Sequence, residues 1–134
     1  NIGSPGMVRQ LAAAGYRGPV SIRVNPGFGH GHVNTCDTGG PSSKHGIWHE
    51  DLEACVARAQ RHGLRVTGVH VHIGSGADME HLAGVARACC AFARRVGPSI
   101  TAISAGGGLP TPYRNEDAEV DVDAGFFRIY ELTP

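Results

Sequence analysis

The stretch VTGVHVHIGSG, Val66 to Gly76, reads as a buried strand that ends abruptly in a Gly-Ser-Gly turn. Val66, Val69, Val71 and Ile73 are β-branched, and the glycines that stop the strand follow at once, Gly74 and Gly76. Side chains alternate along a strand, so His70 and His72 share one face while Val69, Val71 and Ile73 share the other. Two imidazoles beside a turn whose backbone admits close approach form the floor of a candidate site. A pair of satisfied core histidines would give the same pattern, so the neighbouring elements have to decide.

On both sides of this strand the pattern changes to helical spacing. Upstream, Leu52, Cys55, Val56 and Ala59 recur as one helix face, closed by His62 and Gly63. Downstream, a helix from about Asp78 to Val96 carries Leu82, Val85, Ala86, Cys89 and Phe92. Gly97-Pro98 breaks it before a further strand, ITAISAGGG, ending at Gly106, Gly107 and Gly108. Nearer the start, Ser4 offers an N-cap with Pro5 at the first helical position, and Gly15 offers a stop. The strand VSIRVN, Val20 to Asn25, follows. Pro26 then opens a long glycine-rich loop, of a kind that is usually functional in a compact domain. A last helix is expected from Asp121 or Asp123, with Phe126, Ile129 and Tyr130 on one face.

Helices and strands therefore alternate, which predicts βαβ units and a parallel sheet in the α/β class. Active groups in such sheets gather at the carboxyl ends of the strands. Those ends carry Arg23 to Asn25, His72 to Ser75 and Gly106 to Gly108, the least ordinary residues in the chain.

A chain of 134 residues is long enough for one real core. Its 12 basic and 12 acidic residues cancel, so no net field draws it to nucleic acid or an anionic membrane. No apolar run reaches the ~18 residues of a spanning helix, and NIGSPGMVRQL has neither part of a signal peptide. Cys36, Cys55, Cys89 and Cys90 match no zinc spacing, so free thiols in a reducing cytoplasm are expected.

Each strand end has a chemical reading. Three glycines after a strand expose backbone N–H groups that can cradle a phosphate, and Ser75 can add a hydroxyl. Arg23 sits on the inward face with Ser21 and Asn25, and a buried arginine needs an acceptor, either a structural carboxylate or an anionic ligand. His70 and His72 as an HxH pair would suit a zinc hydrolase, but the next strand ends in glycines where further ligands should stand, so no metal is expected there. His30 and His32 are weak metal candidates in the loop. Lys44, the lone lysine, reads equally as a Schiff-base nucleophile, an anion contact or a solvated loop residue.

Four segments in order, RVNPGFGHGH (Arg23 to His32), TGGPSSKHGI (Thr38 to Ile47), GVHVHIGSG (Gly68 to Gly76) and SAGGGLP (Ser104 to Pro110), resemble diaminopimelate decarboxylases, pyridoxal-phosphate enzymes of the alanine-racemase-like barrel class. The resemblance covers almost the whole chain. It implies a partial (β/α)8 TIM-type barrel, with residues 1–134 an internal segment of the cofactor-binding barrel domain holding about three βα units of the ~250-residue fold. It implies pyridoxal 5'-phosphate as cofactor, with the ring of His72 stacked on the pyridine, Ser75 and Gly106, Gly107 and Gly108 at the phosphate, and Arg23 near the phenolic oxygen. His70, one layer deeper, is expected to be a packed supporting residue. The reaction implied is α-decarboxylation of meso-diaminopimelate, a small-molecule amino-acid substrate, to L-lysine and carbon dioxide.

Two departures accompany the match. The family's Schiff-base lysine belongs to an earlier strand, and Lys44 matches a different position. The EPGR glutamate and the second, β-rich domain through which the family forms a homodimer would follow Pro134. The segment alone is therefore expected to be inactive and to have unpaired sheet edges. Related decarboxylases of ornithine, arginine or polyamine precursors, and a non-catalytic phosphate-binding module, are the alternatives.

Overall fold

The computed structural model describes residues 1–29, 38–75, 78–109, 112–116 and 121. His30, His32, Cys36, Gly76, Pro110 and the helix expected after Asp121 lie outside the described residues. The elements in order are α1 (Pro5–Ala13), β1 (Pro19–Asn25), β2 (Ile47–Trp48), a 3-10 turn (His49–Asp51), α2 (Leu52–Arg61), β3 (Arg65–Val71), α3 (Met79–Val96) and β4 (Ala102–Ser104). All pairings are parallel, in the order β2-β1-β3-β4.

Local chemistry explains the helix boundaries. Ser4 is extended at the N-cap of α1 and Pro5 fills the first turn. Gly15, just past the end, takes a φ of 78°. The Asp78 carboxylate accepts the His81 N–H at 2.9 Å and so caps α3, satisfying a donor the helix leaves open. Gly97 ends α3 with a φ of 100°.

The apolar core lies between one face of the sheet and the helices. Ile22, Val24, Val69, Val71 and Ile73 meet Leu52, Cys55, Val56 and Ala59 of α2 and Leu82, Val85, Cys89 and Phe92 of α3. Burying each of these aliphatic side chains is worth about 1.5–3 kcal/mol. Across the helix layer, Arg95 forks onto the Glu53 carboxylate at 2.7 and 2.8 Å and donates to the His49 carbonyl at 2.7 Å. That fork ties the last turn of α3 to the start of α2.

β3 contains one irregularity. Val20 pairs with Val66 but Ser21 pairs with Gly68, so Thr67 is an extra residue, a β-bulge. It lets Val66 and Val69 both face the core although three positions apart in sequence. From Gly68 onward the alternation is regular, and the histidines fall on the other face.

That other face is small and polar: Ser21, Arg23, Gly68, His70, Ala102 and Ser104. With Asn1, its lower part lines a shallow groove of about 280 Å³. Ile2 runs alongside β1, its N–H donating to the Ser21 carbonyl and its carbonyl accepting the Arg23 N–H, both at 2.8 Å. β4 is exposed along its length and pairs only with β3 among the described residues. Cys55, Cys89 and Cys90 are buried. Burial pushes the Cys89 thiol up to about 12, so it stays protonated. Among the described residues no helix is long and apolar enough to cross a membrane.

Candidate functional site

The parallel register aligns three side chains in one row across three strands. Arg23 of β1 lies opposite His70 of β3, and His70 lies opposite Ser104 of β4. The row is joined on one side by a hydrogen bond, His70 Nδ1 to Ser104 Oγ at 2.9 Å. His72 stands two residues further on, just beyond the end of β3.

The glycine run packs directly against this strand end. A Cβ at Gly106 would come within 2.6 Å of the Val71 carbonyl oxygen and 2.8 Å of the His72 Cβ. A Cβ at Gly108 would run into the Gly74 carbonyl oxygen. Both residues also have positive φ, 76° and 102°, which glycine adopts without strain. Gly107 differs, because nothing lies within 4 Å of where its Cβ would be. Two of the run's N–H groups already have protein partners: Gly106 donates to Ser104 Oγ and Gly107 to His72 Nδ1, each at 3.3 Å. Ser75 is exposed, at the turn after His72.

Accepting the Gly107 N–H leaves the His72 proton on Nε2, a tautomer assigned from the network. Burial, then the Arg23 charge, hold both His70 and His72 below the ordinary imidazole range. Both rings are therefore neutral at neutral pH. His45 pushes His72 in the same direction, so the loop before β2 lies near this wall.

Arg23 forms no ion pair among the described residues, and its Nη2 atom is buried without a hydrogen-bond partner. Burial lowers its pKa as well, the signature of a cation taken out of water without compensation. Of the two acceptors weighed for it, the structural carboxylate is not among the described residues. The wall thus offers a fixed positive charge, two neutral imidazoles and a glycine turn, which suits a flat ring carrying anionic groups.

Two residues that hold the site together were given no role by sequence reasoning. Asn25 is 3% exposed, and its amide donates to the Gly40 carbonyl at 2.8 Å while accepting the N–H of Gly40 and of Gly27, each at 3.0 Å. Thr38 donates its hydroxyl to the His72 carbonyl at 3.2 Å and its N–H to the Ile73 carbonyl at 3.2 Å. The TGG segment is thereby pinned between the ends of β1 and β3. The only signal for Asn25 was a carboxamide at a strand end, next to a proline. Lys44 is exposed in the loop leading to β2.

Residues 1–131 match the family model described as pyridoxal-dependent decarboxylase, pyridoxal binding domain. The chain is 52% identical over 126 residues to a diaminopimelate decarboxylase of Streptomyces coelicolor, covering 94% of this chain and 29% of that protein. It is 48% identical over 126 residues to the enzyme of that name from Escherichia coli K12, covering 92% of this chain and again 29% of the relative. A crystal structure of diaminopimelate decarboxylase superposes with a TM-score of 0.81 at 43% identity, over 98% of this chain and 33% of that one. The Helicobacter pylori diaminopimelate decarboxylase complexed with L-lysine shares the fold, at a TM-score of 0.81 and 23% identity over 96% of this chain and 35% of that one. The parallel sheet is accordingly part of the decarboxylase barrel, and the chain belongs to the pyridoxal-binding domain family of the pyridoxal-dependent decarboxylases.

Proposed function

We propose that the protein carrying these residues is a diaminopimelate decarboxylase, releasing carbon dioxide from meso-diaminopimelate and leaving L-lysine. The observation that carries this reading is the buried, unpartnered Nη2 of Arg23 in a wall shared with the neutral ring of His72. The residues present fit pyridoxal phosphate. The flat His72 face suits its ring, Arg23 supplies an orphan donor for an anionic oxygen, and the space beside Gly107 is open. Ser75 is assigned, with Gly106, Gly107 and Gly108, to its phosphate. When bound, the cofactor's ring accepts the electron pair left behind as carbon dioxide departs.

This chain's own residues bind and orient. His72 would hold the ring as a neutral plate and so add no charge to it. Arg23 compensates negative charge in a place that water reaches poorly, where the interaction is strong. Gly106 and Gly108 allow the turn to close on β3, which a side chain at either position would prevent. Residues 1–134 are assigned to the interior of the barrel domain, in a cytoplasmic homodimer.

The test is a substrate panel on the full-length protein with added pyridoxal phosphate. Carbon dioxide release from meso-diaminopimelate, with ornithine and arginine turned over at least a hundredfold more slowly, is the expected result. Comparable or faster release from ornithine, arginine or a polyamine precursor would transfer the assignment to a related decarboxylase.

A further inference from the structure

We propose that Ser104 and His70 are positioning residues that hold the glycine run in its phosphate-binding conformation. The inference rests on the cofactor reading above and extends it to two residues that need not touch the cofactor.

The ladder between β3 and β4 ends at the pair His70 and Ser104. Beyond it, Gly106 and Gly107 donate their N–H groups to side chains. Gly106 donates its N–H to Ser104 Oγ at 3.3 Å, and that oxygen lies 2.9 Å from His70 Nδ1. A hydroxyl has one proton and two lone pairs. With the Gly106 N–H taken on one lone pair, the remaining proton and lone pair are free to face His70 Nδ1, and we assign the hydroxyl as the donor, with the His70 proton on Nε2. Gly107 is tied more directly, to His72 Nδ1 at 3.3 Å.

Consecutive N–H groups of the run are therefore anchored to His70 and His72, one through a hydroxyl relay and one without. Gly106 has a φ of 76° and lies against the Val71 carbonyl, so a small rotation there would redirect every N–H that follows. Ser104 and His70 fix that rotation. The two act in series, because the hydrogen bond to the imidazole sets the orientation of the serine hydroxyl.

The experiment uses the full-length protein stripped of cofactor and titrated with pyridoxal phosphate, alongside the phosphorus resonance of the bound cofactor. Ser104→Ala and His70→Leu should each weaken cofactor binding about fivefold, the size of one net hydrogen bond, and shift the phosphorus resonance. Ser104→Thr keeps the hydroxyl and should restore both readings. His70→Asn keeps an acceptor near Nδ1 and should do the same. The double variant Ser104→Ala with His70→Leu should be no weaker than either single, the mark of a series relay. Wild-type affinity with an unmoved resonance in Ser104→Ala, or additive losses in the double variant, would overturn the proposal. If Ser104→Ala does not fold, the contrast between His70→Leu and His70→Asn decides alone. Wild-type protein without any bound phosphorus resonance would sink the cofactor reading itself, and this inference with it.

Discussion

Gly107 donates its backbone N–H to Nδ1 of His72 across 3.3 Å, joining the turn after β4 to the ring at the end of β3. The group assigned to the cofactor ring and the group assigned to its phosphate are thus parts of one hydrogen-bonded unit. Disturbing either should be felt at both, and the variants below separate the contributions.

His72→Ala removes the ring face and the acceptor together. In the full-length enzyme, cofactor affinity should fall about tenfold, combining an aromatic contact and a hydrogen bond, while the folding transition persists. Equilibrium dialysis followed by absorbance of retained cofactor reads the first, and circular dichroism the second. Normal retention would remove His72 from the stacking role.

The three glycines should behave differently from one another. Gly106→Ala and Gly108→Ala meet the backbone carbonyls of Val71 and Gly74 and a left-handed φ, so each should destabilise the fold by several kcal/mol. Gly107→Ala meets nothing within 4 Å and should melt like wild type while binding cofactor more weakly. Thermal melts paired with cofactor titration test this, and equal melting losses at all three positions would count against it.

Asn25→Ala leaves two N–H groups and one carbonyl of the loop without partners in a buried place, a loss of about 3 kcal/mol. Asn25→Asp keeps the acceptor for both N–H groups but sets a carboxylate against the Gly40 carbonyl. It should fall between wild type and alanine near neutral pH. Urea midpoints give the order directly, and an alanine variant as stable as wild type would show that the clamp carries no stability.

The histidines set a pH dependence of definite sign. Burial, then Arg23, lower the folded values of His70 and His72 below the ordinary 6.5. As pH falls past that value, the unfolded chain takes up protons that the folded one refuses. Stability is therefore greatest above about pH 6.5 and declines as the pH drops toward the lowered folded values. Proton resonances of the two rings should titrate below the range of exposed histidines, and Arg23→Gln should move both upward. Unmoved titrations in that variant would disconnect Arg23 from the pair.

Much of the fold is legible in the sequence because its signals are local. Alternation in Val20, Ile22 and Val24, the apolar stripe of α3 and the Asp78 cap each need only a few neighbouring residues. β2 is different. Two residues, Ile47 and Trp48, are too few for any periodicity, and they become a strand only because the loop returns beside Val24 and Asn25. The same return makes Asn25 a clamp, with a partner fifteen positions away. At the site, alternation placed His70 and His72 on one face, and the order of motifs separated their assignments. Neither could report that Arg23 Nη2 is left without a partner among the described residues or that Lys44 is exposed, since both depend on what the rest of the chain brings near.

The bulge at Thr67 also bears on how β3 tolerates changes in length. A one-residue deletion at Thr67 would straighten the strand and leave Arg65 and Val66 opposite Pro19 and Val20 on their present faces, with everything from Gly68 onward where it stands. The same deletion between Gly68 and His72 would exchange faces, sending imidazole into the apolar layer and valine or isoleucine to the polar wall. Insertions and deletions in this strand should therefore be survivable on one side of Thr67 and ruinous on the other, and a deletion scan of single codons along residues 65–72 would trace that boundary.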